Sequence, residues 1–202
     1  MSGSLPVGKL PADLLARLLA RVPNQDARVR LGPGIGLDCA VLDIGDRYLV
    51  LKSDPITFAS DEIGSYLVHV NANDIATTGA VPRWLLVTAL LPADKTTAGL
   101  VETVFEQVIA ACREIEVTLI GGHTEITASV AQPVLVGTML GEVGKHRLVT
   151  PRGARPGDLV ILTKGVPIEA TSLLAREFTH ALTGRLSQEE ISQAANFIHN
   201  PG

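Results

Sequence analysis

The chain has 202 residues, 46% of them hydrophobic and 19% charged, with a formal net charge of −4 and 3% aromatics. That length can bury a real core as one domain or a small pair, while the acidic balance and few aromatic rings argue against a nucleic-acid binder. Its longest apolar stretch, Trp84–Leu91, is far short of the roughly 20 residues that cross a bilayer, and the N-terminal MSGSLPVGKLPADLL does not read as a signal peptide.

In chain order, Leu14, Leu15, Leu18 and Leu19 fall on one face of a helix within Leu10–Val22. Gly32–Gly36 follows, too rich in glycine and proline for an element interior. Cys39–Ile44 and Tyr48–Lys52 read as the arms of a hairpin turned at Gly45-Asp46. Ser60-Asp61-Glu62 has the composition of an N-cap and acidic first turn, opening a helix over Asp61–Thr78 that stops at Gly79. Pro82–Leu91 is the most hydrophobic strand. Thr96–Ile115 is the clearest helix, with Val101, Val104, Val108, Cys112 and Ile115 as its inner stripe. Val117–Ile120 and Val134–Val143 read as strands. A charged, Pro/Gly-rich seam at Thr150–Asp158 marks a domain junction. Beyond it come a strand at Leu159–Thr163 and helices near Ile168–Phe178 and Ser187–His199, too little to close a core. The expected organisation is a first domain over residues 1–150 and the start of an incomplete second domain over 151–202.

Chemistry enters at the open end of the hairpin. With Gly45 and Asp46 as a two-residue loop, Ile44 pairs with Arg47, Asp38 faces Ser53 and Leu37 faces Asp54. Diagonal neighbours on such a ladder lie within about 8 Å, so Asp38 and Asp54 come together. Two solvated carboxylates beside a surface hairpin are the plainer alternative. On the next helix, Ile63, Leu67 and Val70 share a face that continues as Asn71, Asp74 and Thr78, polar groups where the core stripe should run on. An aspartate is unfavourable at the negative end of a helix dipole unless a cation is bound; the alternative is that these groups satisfy a frayed helix end. Gly121-Gly122-His123-Thr124-Glu125 directly follows the strand Val117–Ile120, and paired glycines in a turn at a strand end let backbone amides approach phosphate oxygens; the plainer alternative is a turn and nothing more.

Three aspartates and a glycine pair suit Mg²⁺ and phosphates, not zinc. Three converging carboxylates without a cation repel, so a metal-free site is expected to be strained, hydrated or disordered. The chain contains no Walker A string, dinucleotide fingerprint or nucleophile elbow. Cys39 and Cys112 sit in apolar segments without metal-ligand spacing, which points to buried thiols in a cytoplasmic protein.

The strings GIGLDCAVL, LKSDPITF, VNANDIATTGAVPRW, LIGGHTEIT and GDLVILTKG, in that order over roughly residues 30–170, resemble the AIR synthase superfamily, and within it the hydrogenase-maturation, HypE-type branch. The resemblance implies an α+β first domain whose mixed sheet pairs with a second copy to form a homodimer. It implies ATP and Mg²⁺ at the edge of that domain, facing a separate C-terminal domain, and phosphoryl transfer that activates a substrate oxygen. Carried over by position, Asp38, Asp54 and Asp74 hold metal and phosphates, Asn71 and Asn73 support them, and Gly121, Gly122 and Thr124 contact phosphates.

Two departures stand out. Relatives often place an acid where this chain has His123, and a neutral imidazole is a poor Mg²⁺ ligand, so Glu125 is the expected substitute or fewer metals bind. The branch also carries its substrate on a C-terminal cysteine, whereas this chain ends Asn200-Pro201-Gly202. The resemblance assigns no catalytic residue here and names no substrate. The expected function is an ATP- and Mg²⁺-dependent enzyme; the alternative, from another class, is a nucleotide-binding or assembly module without turnover.

Overall fold

Six strands of the computed structural model, which describes residues 3–23, 26–59 and 61–199, form one mixed sheet. They are β1 (Val29–Leu31), β2 (Ala40–Asp43), β3 (Arg47–Ile56), β4 (Val81–Pro92), β5 (Thr118–Thr127) and β6 (Val134–Gly144), in the order β1-β2-β3-β6-β4-β5. Only β4 and β5 run parallel. A parallel pair needs a crossover, and α3 (Ala98–Glu114) supplies it. The hairpin has the register expected from its two-residue loop: Asp43 pairs with Tyr48, and the Ile44 amide donates to the Arg47 carbonyl at 3.1 Å. Its second arm is longer than the apolar run suggested, because β3 continues through Asp54 and Pro55 along β6.

Helices cover one face of this sheet. On β6 the residues Leu135, Gly137, Met139, Gly141 and Val143 are buried while those between them are half-exposed, the period-two pattern of a sheet packed on one side. α2 (Ile63–Thr77) lies over β3, β6 and β4 and against α3. Glycines on β6 make that approach possible. A Cβ at Gly137 would stand 2.7 Å from Asn71 Nδ2, and one at Gly141 would stand 2.5 Å from Ile75 Cγ2. α2 begins two residues later than the sequence suggests, because Glu62 takes a left-handed backbone (φ 58°) with no side-chain cap; the expected cap Ser60 lies outside the described residues. Its end is as expected, with Gly79 left-handed (φ 77°) after Thr78. α3 is capped by the Thr97 hydroxyl, which accepts from the Leu100 amide. The amphipathic α1 (Ala12–Leu19) is formed without burying any residue.

The chain divides into two units, Met1–Gly153 and Ala154–Gly202. In the second, α4 (Ile168–Glu177), the short α5 (Thr179–Leu182) and α6 (Gln188–Ala195) follow a segment without regular structure. Ser187 and Glu190 form a reciprocal capping box at the start of α6. Ser172 Oγ donates to the Ala195 carbonyl at 2.7 Å, tying α4 to the end of α6. The strand expected at Leu159–Thr163 does not form. Leu159, Val160, Ile161 and Leu162 are 65–101% exposed, because among the described residues no neighbouring strand offers them a ladder. No helix among the described residues is long and apolar enough to cross a membrane.

Candidate functional site

The site forms where β3 passes beneath the C-terminal half of α2. Val50, Lys52, Asp54 and Ile56 point to the same face of β3, the face covered by helices. Asp74 comes from the last turn of α2, and Asp38 from the segment leading into β2. All three aspartates reach one atom: Lys52 Nζ lies 2.7 Å from Asp74 Oδ2, 3.4 Å from Asp54 Oδ2 and 3.8 Å from Asp38 Oδ1. The Lys52 side chain is 9% exposed. Burial pulls its ammonium down, but the hydrogen bond and charge of Asp74, then those of Asp54, outweigh it and leave the group above its ordinary value.

Sequence reasoning brought the three carboxylates together and missed the lysine. The expectation of a strained or disordered metal-free site is therefore corrected: an ammonium supplied by the chain already stands among the carboxylates. The missed signal was a charge at an inward position of an alternating strand, two residues from Val50 and two from Asp54. Asp74 sits near the negative end of its helix, as expected, and Lys52 offsets both that dipole and the carboxylate. The Asp74 carbonyl is itself occupied, accepting from Thr77 Oγ1 at 2.7 Å and Cys39 Sγ at 3.3 Å.

Asn71, one turn before Asp74, is completely buried. Its Nδ2 donates to the Leu67 carbonyl at 2.8 Å, and its Oδ1 has no hydrogen-bond partner. A buried acceptor left unpaired costs roughly 1–3 kcal/mol, so the site holds an unused binding capacity. Asn73 is exposed on another side of the helix. The hard oxygen donors and the orphaned Asn71 oxygen fit a phosphate-borne cation. Among the described residues, however, no three His, Cys, Asp or Glu side chains are grouped to hold a metal ion alone.

The glycine string lies elsewhere on the sheet. It is not the turn expected after a strand; Gly121 and Gly122 stand inside β5, which continues to Thr127. Asp54 pairs with Gly137, Gly137 with Val87, and Val87 with Gly122. That row spans three strand intervals, about 14 Å at the usual spacing. Ile120 is an extra residue opposite the Leu85–Leu86 step, a β-bulge. Gly122 has φ 151°, and a Cβ there would fall 1.8 Å from the Val87 carbonyl oxygen, so glycine is required.

Alternation then splits the string between the two faces. Gly122 and Thr124 share the helix-covered face with Val87 and Ala89, whereas Gly121, His123 and Glu125 face the other way. His123 Nε2 is 3.5 Å from Glu125 Oε2. Glu125 thus lies apart from the three aspartates. On the helix side, β5 borders a cleft of about 380 Å³ walled by Val104, Phe105 and Val108 of α3, with no carboxylate in its lining. Both cysteines are free and buried, as expected. Burial, then the Asp74 charge, pushes the Cys39 thiol up to about 11, and burial alone does the same to Cys112.

The family profile described as AIR synthase related protein, N-terminal domain, matches residues 36–143. Over 156 residues the chain is 28% identical to phosphoribosylformylglycinamidine cyclo-ligase of Thermococcus kodakarensis, covering 71% of this chain and 46% of that protein. It is 29% identical to the carbamoyl dehydratase HypE of Azotobacter vinelandii over 180 residues, 86% of this chain and 50% of the relative. The chain thus spans about half the length of these curated relatives. Among solved structures, hydrogenase maturation protein HypE in complex with ATP superposes with a TM-score of 0.59 at 21% identity, over 88% of this chain and 51% of that one.

Proposed function

The chain belongs to the AIR synthase related family, and from that footing we propose that it is the ATP- and Mg²⁺-binding half of an enzyme that activates a substrate oxygen by phosphoryl transfer. The reaction is of the kind used in hydrogenase maturation. The observation that carries this reading is the convergence of Asp38, Asp54 and Asp74 beside the unpaired Asn71 oxygen. Asp54 and Asp74, with Asp38 at the rim, hold the ion that accompanies the phosphates, and Asn71 orders its surroundings. Mg²⁺, when bound, neutralises charge on the phosphate oxygens. Gly122 and Thr124, on the same helix-covered face, contact a more distant part of the same nucleotide, with Asn73 as an outer polar contact.

The sheet face turned away from α2 and α3 supports a homodimer. Leu49, Leu51, Val136, Leu140 and Leu90 are half-exposed there and Leu86 is exposed, an apolar surface fit for an interface burying on the order of 2,000 Å². Residues 151–202 open a second, substrate-facing domain. Two free thiols and a need for ATP favour a cytoplasmic location. A second reading, nucleotide binding without turnover, is favoured by the strandless run Leu159–Leu162 in the unit that the family resemblance assigns to substrate.

Calorimetry with ATP tests the site. Wild type should bind in a strongly Mg²⁺-dependent way, and Asp74→Asn should bind about tenfold or more weakly, a loss of ~1.4 kcal/mol, with its circular dichroism unchanged. Equal affinity in the two proteins, or indifference to Mg²⁺, sinks the reading. An ATPase assay with and without the remaining half of a relative then separates turnover from binding alone.

A further inference from the structure

A lysine on a strand near the protein surface ordinarily runs its methylenes along apolar neighbours and puts its ammonium in water. Lys52 does the opposite. Its side chain is 9% exposed while its partners Asp54 and Asp38 are 39% and 63% exposed, so the cation lies deeper than the anions. Burying an ammonium is costly unless it is paired and hydrogen-bonded, and here the 2.7 Å bond to Asp74 and two further carboxylates meet that requirement. In return the ammonium removes most of the repulsion among three acids, leaving a formal −2 (−3 from the carboxylates, +1 from Lys52).

We propose that Lys52 is the resident cation of this corner, standing where one divalent ion would otherwise be held. The consequence is a site that takes up little divalent metal by itself and accepts it only together with phosphate oxygens, which complete the ligand set. Lys52 Nζ occupies the point on which the three carboxylates converge. The inference rests on reading the corner as a metal–phosphate site and specifies how that site is charged before nucleotide arrives.

The test uses Mn²⁺ alone, followed by loss of the free-ion electron paramagnetic resonance signal, on wild type, Lys52→Gln, Lys52→Met and Lys52→Arg. Lys52→Gln and Lys52→Met should each gain one Mn²⁺ site at least about tenfold tighter than any in wild type, the scale on which one neighbouring charge shifts an ionic equilibrium. Lys52→Arg, which keeps the charge, should gain none. Adding Asp74→Asn to Lys52→Gln should abolish the gained site, which locates it. Wild type binding Mn²⁺ as tightly as the neutral variants, or a folded neutral variant gaining no site, overturns the proposal. Should a neutral variant unfold in metal-free buffer, refolding with Mn²⁺ but not with KCl of equal ionic strength supports it, and failure with both overturns it. No nucleotide is present in these measurements, so a wild type that cannot bind ATP would refute the proposed function without deciding the role of Lys52.

Discussion

The β3–α2 corner and the β5 edge divide the expected site between them on opposite plans. The corner collects Asp38, Lys52, Asp54 and Asp74 from separate segments and sinks their common cation beneath a helix. The edge is a single continuous string, Gly121 to Glu125, exposed on an outermost strand and divided between two sheet faces. The contrast separates two kinds of sequence signal. A contiguous motif marks a backbone conformation, here a bulged strand that admits only glycine at position 122. A scattered set of charges becomes a site only when packing brings it together, and that packing fixes it firmly.

The comparison breaks most readily at Leu67, which is fully buried with its side chain over Gly137 beneath the corner. Leu67→Ala should lower unfolding stability by ~2–5 kcal/mol, whereas Ile126→Ala on β5, 58% exposed, should stay within about 0.5 kcal/mol. Equal losses in urea denaturation would show that the corner is no more firmly held than the edge.

Gly122→Ala comes next. A methyl group directed at the Val87 carbonyl in a disfavoured backbone conformation should cost ~1–3 kcal/mol. ATP affinity of the folded fraction should fall with it, and an unchanged affinity would remove β5 from the nucleotide site.

The thiols provide a pH test on the corner's side of the molecule. Folded-state values near 11 for Cys39 and Cys112 lie above the unfolded value of 9.0. Their contribution to stability is therefore complete below pH 9 and lost as pH rises towards 11. Iodoacetamide at pH 8 should leave both unmodified in the native protein and alkylate both in denaturant; rapid native labelling would show that the core over Asp74 opens easily. The smallest effect is expected at Asp46, an exposed turn residue paired with its neighbour Arg47 at the far end of the hairpin. Asp46→Asn should leave ATP binding unchanged, and any measurable loss would extend the site beyond the corner.

Much of this fold was legible because local chemistry and packing agree. The two-residue loop at Gly45-Asp46 set the hairpin register, and the Val104–Val108–Cys112 stripe set the inner face of α3. The sequence reading failed where a remote partner decides. Gly121-Gly122 resembles a turn until β4 pairs with it along its whole length, and Leu159–Thr163 resembles a strand but meets no ladder among the described residues. Lys52 has the sequence signature of nothing more than the last residue of a strand arm, since its importance comes from Asp74 on a helix and Asp38 before the preceding strand. The acids were legible because like charges gathered by a known register demand an explanation; the cation that answers them needed three dimensions.

The bare run Leu159-Val160-Ile161-Leu162 has a consequence for handling the protein. Four adjacent exposed apolar residues, two of them β-branched, make a template for chain-to-chain pairing. An uncovered stretch of this composition is a natural ligand for chaperones and a seed for aggregation. Asp158 and Lys164, charged residues bracketing it at either end, occupy the positions at which gatekeepers interrupt such growth. A purified sample of these 202 residues should accordingly remain dispersed longer when both charges are present, and Ile161→Lys should improve its solubility without altering the sheet that carries the site.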